Sequence, residues 1–442
     1  MSRNNLPEAK IHILGGGPAG MSAAYYAHKK QISFQLFEST NQIGGNAKTL
    51  NFGEFLFDTG AHRLHDKNRA VTRDIKQILN GELNEVSAPS KIFYDNKYID
   101  FPIRAKDILN KINYKTNLKI ISENIINLIR TNRRVDNFKE LAYRNYGKTL
   151  SDLFLINYTE KLWGESSDLL GTSISGGRLK NLSFYSTIKE FVTGVPSSDH
   201  IDGSFLYPKY GFGAIFSSIE EMLNKEDILF NSPIKKIFHD GKKINKILLD
   251  SNKEISANHV ISTLPLPILI NQLEPVVPIN IKKIVNSITY RNLSLFILFL
   301  NKKQFSDNAS IYFPQEEVPF TRIYEPKNRS LMMAPENKTS IVIEVPTSSN
   351  EDINEKKTFN TITSFLVKNK FINNEDILGN KVISMPFAYP IITNNNELFE
   401  VYHYLKKIKN LYLIGRSAEF KYLHVHDLFN KSKQIIREIK EY

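Results

Sequence analysis

The chain has no cysteine and a single tryptophan among 442 residues. Without a thiol there is no disulfide, no thiolate nucleophile and no cysteinyl tether for a cofactor. Long apolar runs are missing too. The longest, Leu295 to Leu300, falls far short of a membrane span and suits a buried strand. Met1 to Lys10 is polar and shows no signal-peptide core, so a cytoplasmic setting is expected. Internal repeats, low-complexity linkers and Arg/aromatic nucleic-acid patterns are absent, and nucleic acid is not an expected partner. What is present is a globular composition, 41% hydrophobic and 11% aromatic. The length exceeds one ordinary core and implies two or three lobes. A net charge of +12, with lysine scattered, leaves peripheral contact with an anionic membrane open.

Residues Ile11 to Gly20 read IHILGGGPAG, an apolar run that breaks into three glycines and a small-residue helix start. Gly15, Gly17 and Gly20 hold a G-x-G-x-x-G spacing. The first permits a tight bend, the second lets backbone approach a pyrophosphate, and the third lets helix pack closely on strand. Pro18 and Ala19 open the helix, whose unpaired N–H groups and dipole favour an anion. Glu38 stands eighteen residues past Gly20, closing the apolar run from Phe34 to Phe37, where a ribose-binding carboxylate is expected. Strand, loop, helix, strand and acid in register point to a bound dinucleotide.

Residues 1 to about 75 thus read as an opening βαβ unit. Helical periodicity dominates 105–195, for instance Leu118 to Ile129. Strand signals return at Ile228 to Phe230, Ile244 to Leu249 and Val260-Ile261, and several strands are expected between Tyr290 and Val345. Leu411 to Ile414 reads as a buried strand, followed by Gly415 and an amphipathic helix from about Val425 to Ile439. A strand-glycine-helix unit so far from the first predicts a discontinuous nucleotide domain closed by the C-terminus. His424-Val425-His426-Asp427 has close metal-ligand spacing, but no further cluster supports a metal, and none is expected. Asp427 instead suits the positive end of the last helix.

After Glu38 comes Ile43-Gly44-Gly45-Asn46-Ala47-Lys48-Thr49. A second glycine pair there is unneeded in most NAD enzymes and common in flavoproteins, where it contacts the FAD diphosphate and ribityl chain. With Gly60-Ala61-His62-Arg63-Leu64-His65, this stretch resembles the UDP-galactopyranose mutases and, more loosely, the amine oxidase and protoporphyrinogen oxidase flavoproteins. Tyr158-Thr159-Glu160-Lys161-Leu162-Trp163-Gly164 is similar to the mutase YTxKxWG motif. Pro319 to Lys327, PFTRIYEPK, resembles the P-Y-T-R-I-x-E-x-K stretch, and Gly415 to Tyr422 resembles the flavin-contact GRxxxYxY segment, with Phe420 for its first tyrosine.

The resemblance implies an α/β fold with a discontinuous Rossmann-type FAD-binding domain (1–75, 200–270 and 386–442). An inserted helical domain with a mobile loop (105–199) and a mixed-sheet substrate domain (76–104 and 271–385) complete it. FAD is the implied cofactor, and a nucleotide-diphosphate sugar and a flavin reductant or reductase are implied partners; a homodimer is left open. Reduced flavin would act through N5 on the sugar anomeric carbon, a redox-neutral pyranose–furanose isomerisation. The alternative is an oxidoreductase removing two electrons from an amine or apolar substrate. Carried over residue by residue, Gly44, Gly45 and Asn46 would hold FAD and Ile234 would touch adenine through backbone. His62 and His65 would lie near the isoalloxazine, with Arg416 and Tyr422 at its far end. Tyr158 would contact the substrate, Trp163 would stack on its uracil, and Arg322 would clamp the diphosphate with a fork that stays charged. Three departures bear on the substrate. Val345 replaces a tyrosine that contacts phosphate, His424 replaces an acid, and Arg178 only approximates the mobile-loop arginine.

Overall fold

The computed structural model describes residues 10–103, 105–129, 134–175, 204–349, 351–393 and 397–441. Arg178 lies outside these residues. The opening run forms strand β1 (Ile11–Leu14), helix α1 (Pro18–Lys29) and strand β2 (Phe34–Phe37). β1 and β2 pair in parallel, Ile11 opposite Phe34. β1 is buried along its length, as a strand covered on both faces must be. The strand His259–Ser262 lies on the other side of β1, then Leu411–Leu413, while Ile228–Leu229 extends the β2 edge. All five strands are parallel, and the order reverses direction at β1, so a crevice opens at their carboxyl ends.

The C-terminal helix Val425–Glu441 packs on α1. Phe429 meets Tyr26 edge-on at 6.1 Å, and the Ser22 and Ser432 hydroxyls, buried, are 2.6 Å apart. The nucleotide lobe is therefore discontinuous, its last strand and helix supplied from residue 411 onward.

A second sheet, Glu254–Ser256, Ile244–Leu249, Ile234–His239 and Leu273–Glu274, stacks beside the first. A seven-stranded sheet runs Ile377–Pro390, Tyr290–Leu300, Thr339–Ser348, Arg322–Tyr324, Ser310–Tyr312, Ser90–Tyr94, Lys97–Phe101. Its pairings are antiparallel except where Ser310–Tyr312 meets Ser90–Tyr94. On the Ser90–Phe101 edge of that sheet pack the helices Ala105–Lys111, Tyr114–Ile129 and Phe138–Tyr146, then a continuous run from Lys148 to Trp163 whose middle, Asp152–Ile156, is π-helical.

Strands and their pairings run across three of the expected boundaries. Leu273–Glu274 pairs with Ile237 and Phe238 inside the nucleotide lobe, past the expected limit at 270. Leu83–Val86 pairs with Phe205–Pro208, joining part of 76–104 to that lobe. The strand Ile377–Pro390 runs unbroken across the expected boundary at 386. Two- and four-residue strands and a strand crossing between lobes carry no periodicity of their own, and only pairing partners reveal them.

Candidate active site

Four segments meet at the crevice. Gly15 has φ +100°, and a Cβ on Gly20 would overlap the Gly15 carbonyl oxygen, so α1 can sit this close to β1 only with glycine there. α1 starts at Pro18 after Gly17, with no side-chain cap and no acid in its first turn. Its first N–H groups are left for an external acceptor. Gly44, at φ +102°, donates its N–H to the Gly16 carbonyl at 2.8 Å. Gly45 turns its Cα toward Gly17, where a Cβ would come within 3.0 Å. Gly415, φ +127°, brings the end of Leu411–Leu413 beside Ala19 and Thr263. Buried Glu38 accepts the Gly16 N–H at 2.8 Å through Oε2 and the Thr40 N–H at 2.9 Å through Oε1. An uncapped helix start and two glycine loops with no side chain between them fit a dinucleotide diphosphate, and the anchored carboxylate fits a ribose beside it. Ile234 lies on the neighbouring sheet, and its carbonyl accepts Gln272 Nε2 at 2.5 Å. It adjoins Ser232, whose N–H donates to the Glu38 carbonyl at 2.8 Å.

His62 forms the next wall. Its Nε2–H donates to the Asn46 carbonyl at 3.0 Å, which fixes the tautomer and leaves Nδ1 as an acceptor. Its ring stacks on Phe212 at 5.0 Å. Burial, with Arg416 and Arg329 nearby, pushes its pKa down to about 3, so it is neutral at working pH. Asn46 also ties this loop to the long strand, Nδ2 donating to the Pro386 carbonyl at 3.0 Å. His65 turns elsewhere, packing edge-on to Phe205 at 6.4 Å.

Opposite stands a cluster of phenols and guanidiniums. Tyr158 meets Tyr312 edge-on at 5.6 Å, and Arg322 lies over Tyr312 at 5.9 Å. Tyr389 stacks on Tyr422 at 6.5 Å, and Arg416 sits over both, 4.6 Å from Tyr422 and 5.9 Å from Tyr389. Arg416 is held by the Leu423 carbonyl at 3.0 Å. Burial drives the Tyr158 and Tyr389 hydroxyls well above the usual phenol range, so they remain protonated donors. The π-helical turn just before Tyr158 rotates this stretch of helix, a distortion frequent at functional sites.

Three expectations meet a different geometry. Arg322 does not present a free fork. Glu344 stands opposite it in the strand register and takes Nε at 2.9 Å and Nη2 at 2.7 Å. Glu344 is 1% exposed, so this is a buried bidentate pair that holds the guanidinium charged. Trp163 is 4% exposed, packed among Phe138, Ile156 and Leu170, with Tyr389 and Tyr422 rings at 5.6 and 6.2 Å. It backs the tyrosines rather than offering an open face. Val345 points to the far side of its strand, into the core with Phe296 and Ile343. Strand alternation puts position 344 toward the site and 345 away, so this departure removes no site contact. His424 stacks on His426 at 5.5 Å and meets Tyr422 edge-on. Asp427 accepts the His424 N–H at 2.9 Å. Burial would raise the Asp427 pKa, but bonds from His426 and the His424 N–H outweigh it and bring it to about 2.

Several site groups carry no local signal. Asp58 is buried and accepts Tyr207 Oη at 2.5 Å and the Phe212 N–H at 3.0 Å; Tyr324 Oη donates to its carbonyl at 2.6 Å. Arg329 lies over the Tyr324 ring at 4.6 Å and donates to the His62 carbonyl at 2.9 Å. Lys161 donates to three carbonyls, Phe313 at 2.6, Gln315 at 2.8 and Val318 at 3.0 Å. It thereby fastens the Tyr158 helix to the hairpin bearing Tyr312 and Arg322. Lys161 stands within the YTEKLWG stretch, the one available signal; the other partners are separated by tens to hundreds of residues.

A family model described as flavin containing amine oxidoreductase matches residues 18–356. Similarity to curated proteins is local. A ferredoxin–NADP reductase of Lacticaseibacillus paracasei is 41% identical over 51 residues, 12% of this chain and 16% of that protein. Prenylcysteine oxidase 1 of Bos taurus is 33% identical over 87 residues, 19% of this chain and 16% of that protein. The chain thus matches less than a fifth of either relative's length. Solved structures align over nearly the whole molecule. A reduced UDP-galactopyranose mutase superposes with TM-score 0.86 at 20% identity, covering 98% of this chain and 96% of that one. A putative protoporphyrinogen oxidase from Exiguobacterium sp. 255-15 gives 0.76 at 16% identity, covering 99% and 100%. Cyclohexylamine oxidase from Brevibacterium oxydans gives 0.69 at 13%, covering 98% and 99%. At such identities the likeness speaks for the fold.

Proposed function

The chain belongs to the flavin-containing amine oxidoreductase family, with a UDP-galactopyranose mutase-like fold and FAD as cofactor, and from that premise we propose that it isomerises a nucleotide sugar between pyranose and furanose forms. The observation that carries this reading is the charge of the substrate side. Among the described residues, Arg322 and Arg416 both act on the Tyr389 phenol, against the carboxylate of Glu344. An alkylammonium substrate would meet net positive charge there, while a nucleoside diphosphate would be attracted. FAD, if held there and reduced, would supply nucleophilic chemistry toward the anomeric carbon of a sugar. The protein's own residues bind and orient. Gly17, Gly45 and the start of α1 hold the cofactor diphosphate. Tyr158 and Tyr389 offer neutral hydroxyls, Tyr312 and Tyr422 line the site with their rings, and Arg416 offers its guanidinium. His62 stays neutral, so it acts as a hydrogen-bond partner through Nδ1 rather than as a proton source.

The rival reading is a net oxidation of an amine or apolar substrate, favoured by the family's own description. One experiment separates the two. The purified flavoprotein is assayed with UDP-galactopyranose before and after dithionite reduction. Furanose formation after reduction alone supports isomerisation, and implies a cellular reductant or reductase. Bleaching of the oxidised flavin by an amine, with no isomerisation in either state, overturns it.

A further inference from the structure

The helix Tyr114–Ile129 is built inside out. Its inner face buries Asn117 and Asn124 with Ile120. Asn117 Nδ2 donates to the Leu109 and Ile112 carbonyls, both at 3.1 Å; Asn124 Nδ2 donates to those of Ile120 and Tyr146, both at 2.8 Å. Its outer face carries Tyr114, Leu118, Ile125 and Ile129, which are 70, 63, 54 and 79% exposed. Their spacing of four, seven and four residues places all four on one stripe. Ile126 and, on the preceding helix, Leu109 widen it. A single exposed leucine needs no explanation, but a contiguous apolar stripe with amides turned inward does.

Charge selects what covers it. Lys115 and Lys119 are exposed along one flank of the stripe. The only acid between 111 and 129, Glu123, turns inward, its carboxylate accepting the Thr149 N–H at 2.6 Å and hydroxyl at 2.7 Å. From 105 to 134 the sequence holds seven Lys or Arg against two acids. A second copy would set this positive face against its like, whereas an anionic bilayer accepts both apolar stripe and ammonium groups. No described helix is long and apolar enough to cross a membrane. We propose that this helix lies flat on an anionic membrane surface, its apolar stripe in the interface and Lys115 and Lys119 among the headgroups.

Flotation of the full flavoprotein with phosphatidylcholine vesicles, with and without phosphatidylglycerol, tests this. Binding is expected to the anionic vesicles only, and to weaken as salt rises. L118D/I125D, at exposed positions, is expected to keep its flavin and melting temperature and lose vesicle binding. K115E/K119E is expected to weaken binding about thirtyfold, from roughly 1 kcal/mol per lysine at the headgroups. No binding by the wild type overturns the proposal, as does binding unaffected by both variants. A wild-type dimer that L118D/I125D dissolves, without vesicle binding, overturns it too and assigns the stripe to a second copy.

Discussion

The His62 imidazole has its Nε2–H on the Asn46 carbonyl, with three guanidiniums acting on it from Arg416, Arg329 and Arg322. Its folded pKa of about 3 lies below the unfolded value of about 6.5. Between those values the unfolded chain binds a proton that the native state refuses. Stability therefore rises with pH through this window, by at most about 1.4 kcal/mol per unit, and the contribution is complete above about pH 6.5. Urea unfolding between about pH 4 and pH 6.5 should show a steeper line for wild type than for His62→Gln; parallel lines would remove His62 from the acid limb. The TGAHRLH stretch marked His62 as a site residue. Its protonation state could not be read there, because Arg329 and Arg416 arrive from 267 and 354 residues away. The Arg322–Glu344 pair was hidden for the same reason. An arginine fit to clamp phosphate and one fit to pair with a buried acid look alike until the strand register is known.

At the glycine loop the chemistry is local, and it was legible for that reason. Gly20 answers to Gly15 and Gly17 faces Gly45, neighbours close in sequence, whereas Gly15 abuts Thr263 from far along the chain; the jobs differ and can be separated. A Cβ on Gly20 would strike the Gly15 carbonyl, backbone against backbone, and α1 would have to lift off β1. A Cβ on Gly17 would meet nothing nearer than the Gly45 Cα at 3.8 Å, and would project between the two glycine loops. Gly20→Ala is accordingly expected to lose both flavin and stability, the latter by about 1–3 kcal/mol as in other overpacked cores. Gly17→Ala should melt like the wild-type apoprotein while failing to retain FAD. Flavin absorbance and thermal unfolding of the two variants check this, and a Gly17→Ala protein that kept its flavin would move the diphosphate elsewhere. The Lys161 fastening belongs to this scale as well. Burial lowers its pKa to about 7, and its three acceptors are loop carbonyls, which any sequence supplies and no motif announces.

The nucleotide lobe closes only when the chain returns to it. Leu411–Leu413 completes the parallel sheet and Gly415 delivers the chain to the crevice. The last helix then lays Phe429 against Tyr25 and Tyr26 on the back of α1. That return was visible as a second strand-glycine-helix unit. The strand Ile377–Pro390, shared between the large sheet and the site, was not, since its burial alternates weakly along an edge. The closing helix makes cofactor binding a property of the whole molecule, because the α1 face that holds Phe429 is rigidly joined to the end that meets the diphosphate. Phe429 is fully buried, so Phe429→Ala should cost about 3–5 kcal/mol. If α1 is seated by that contact, the variant should also bind FAD more weakly than wild type under conditions where both are folded. Excess FAD should then restore part of the lost melting temperature, since a ligand bound only by the native state stabilises it by mass action. Titrating apoprotein with FAD and following both flavin fluorescence and melting temperature reads the two effects separately. A lower melting temperature with unchanged FAD affinity would show that the C-terminal helix closes the lobe without positioning the helix that holds its cofactor.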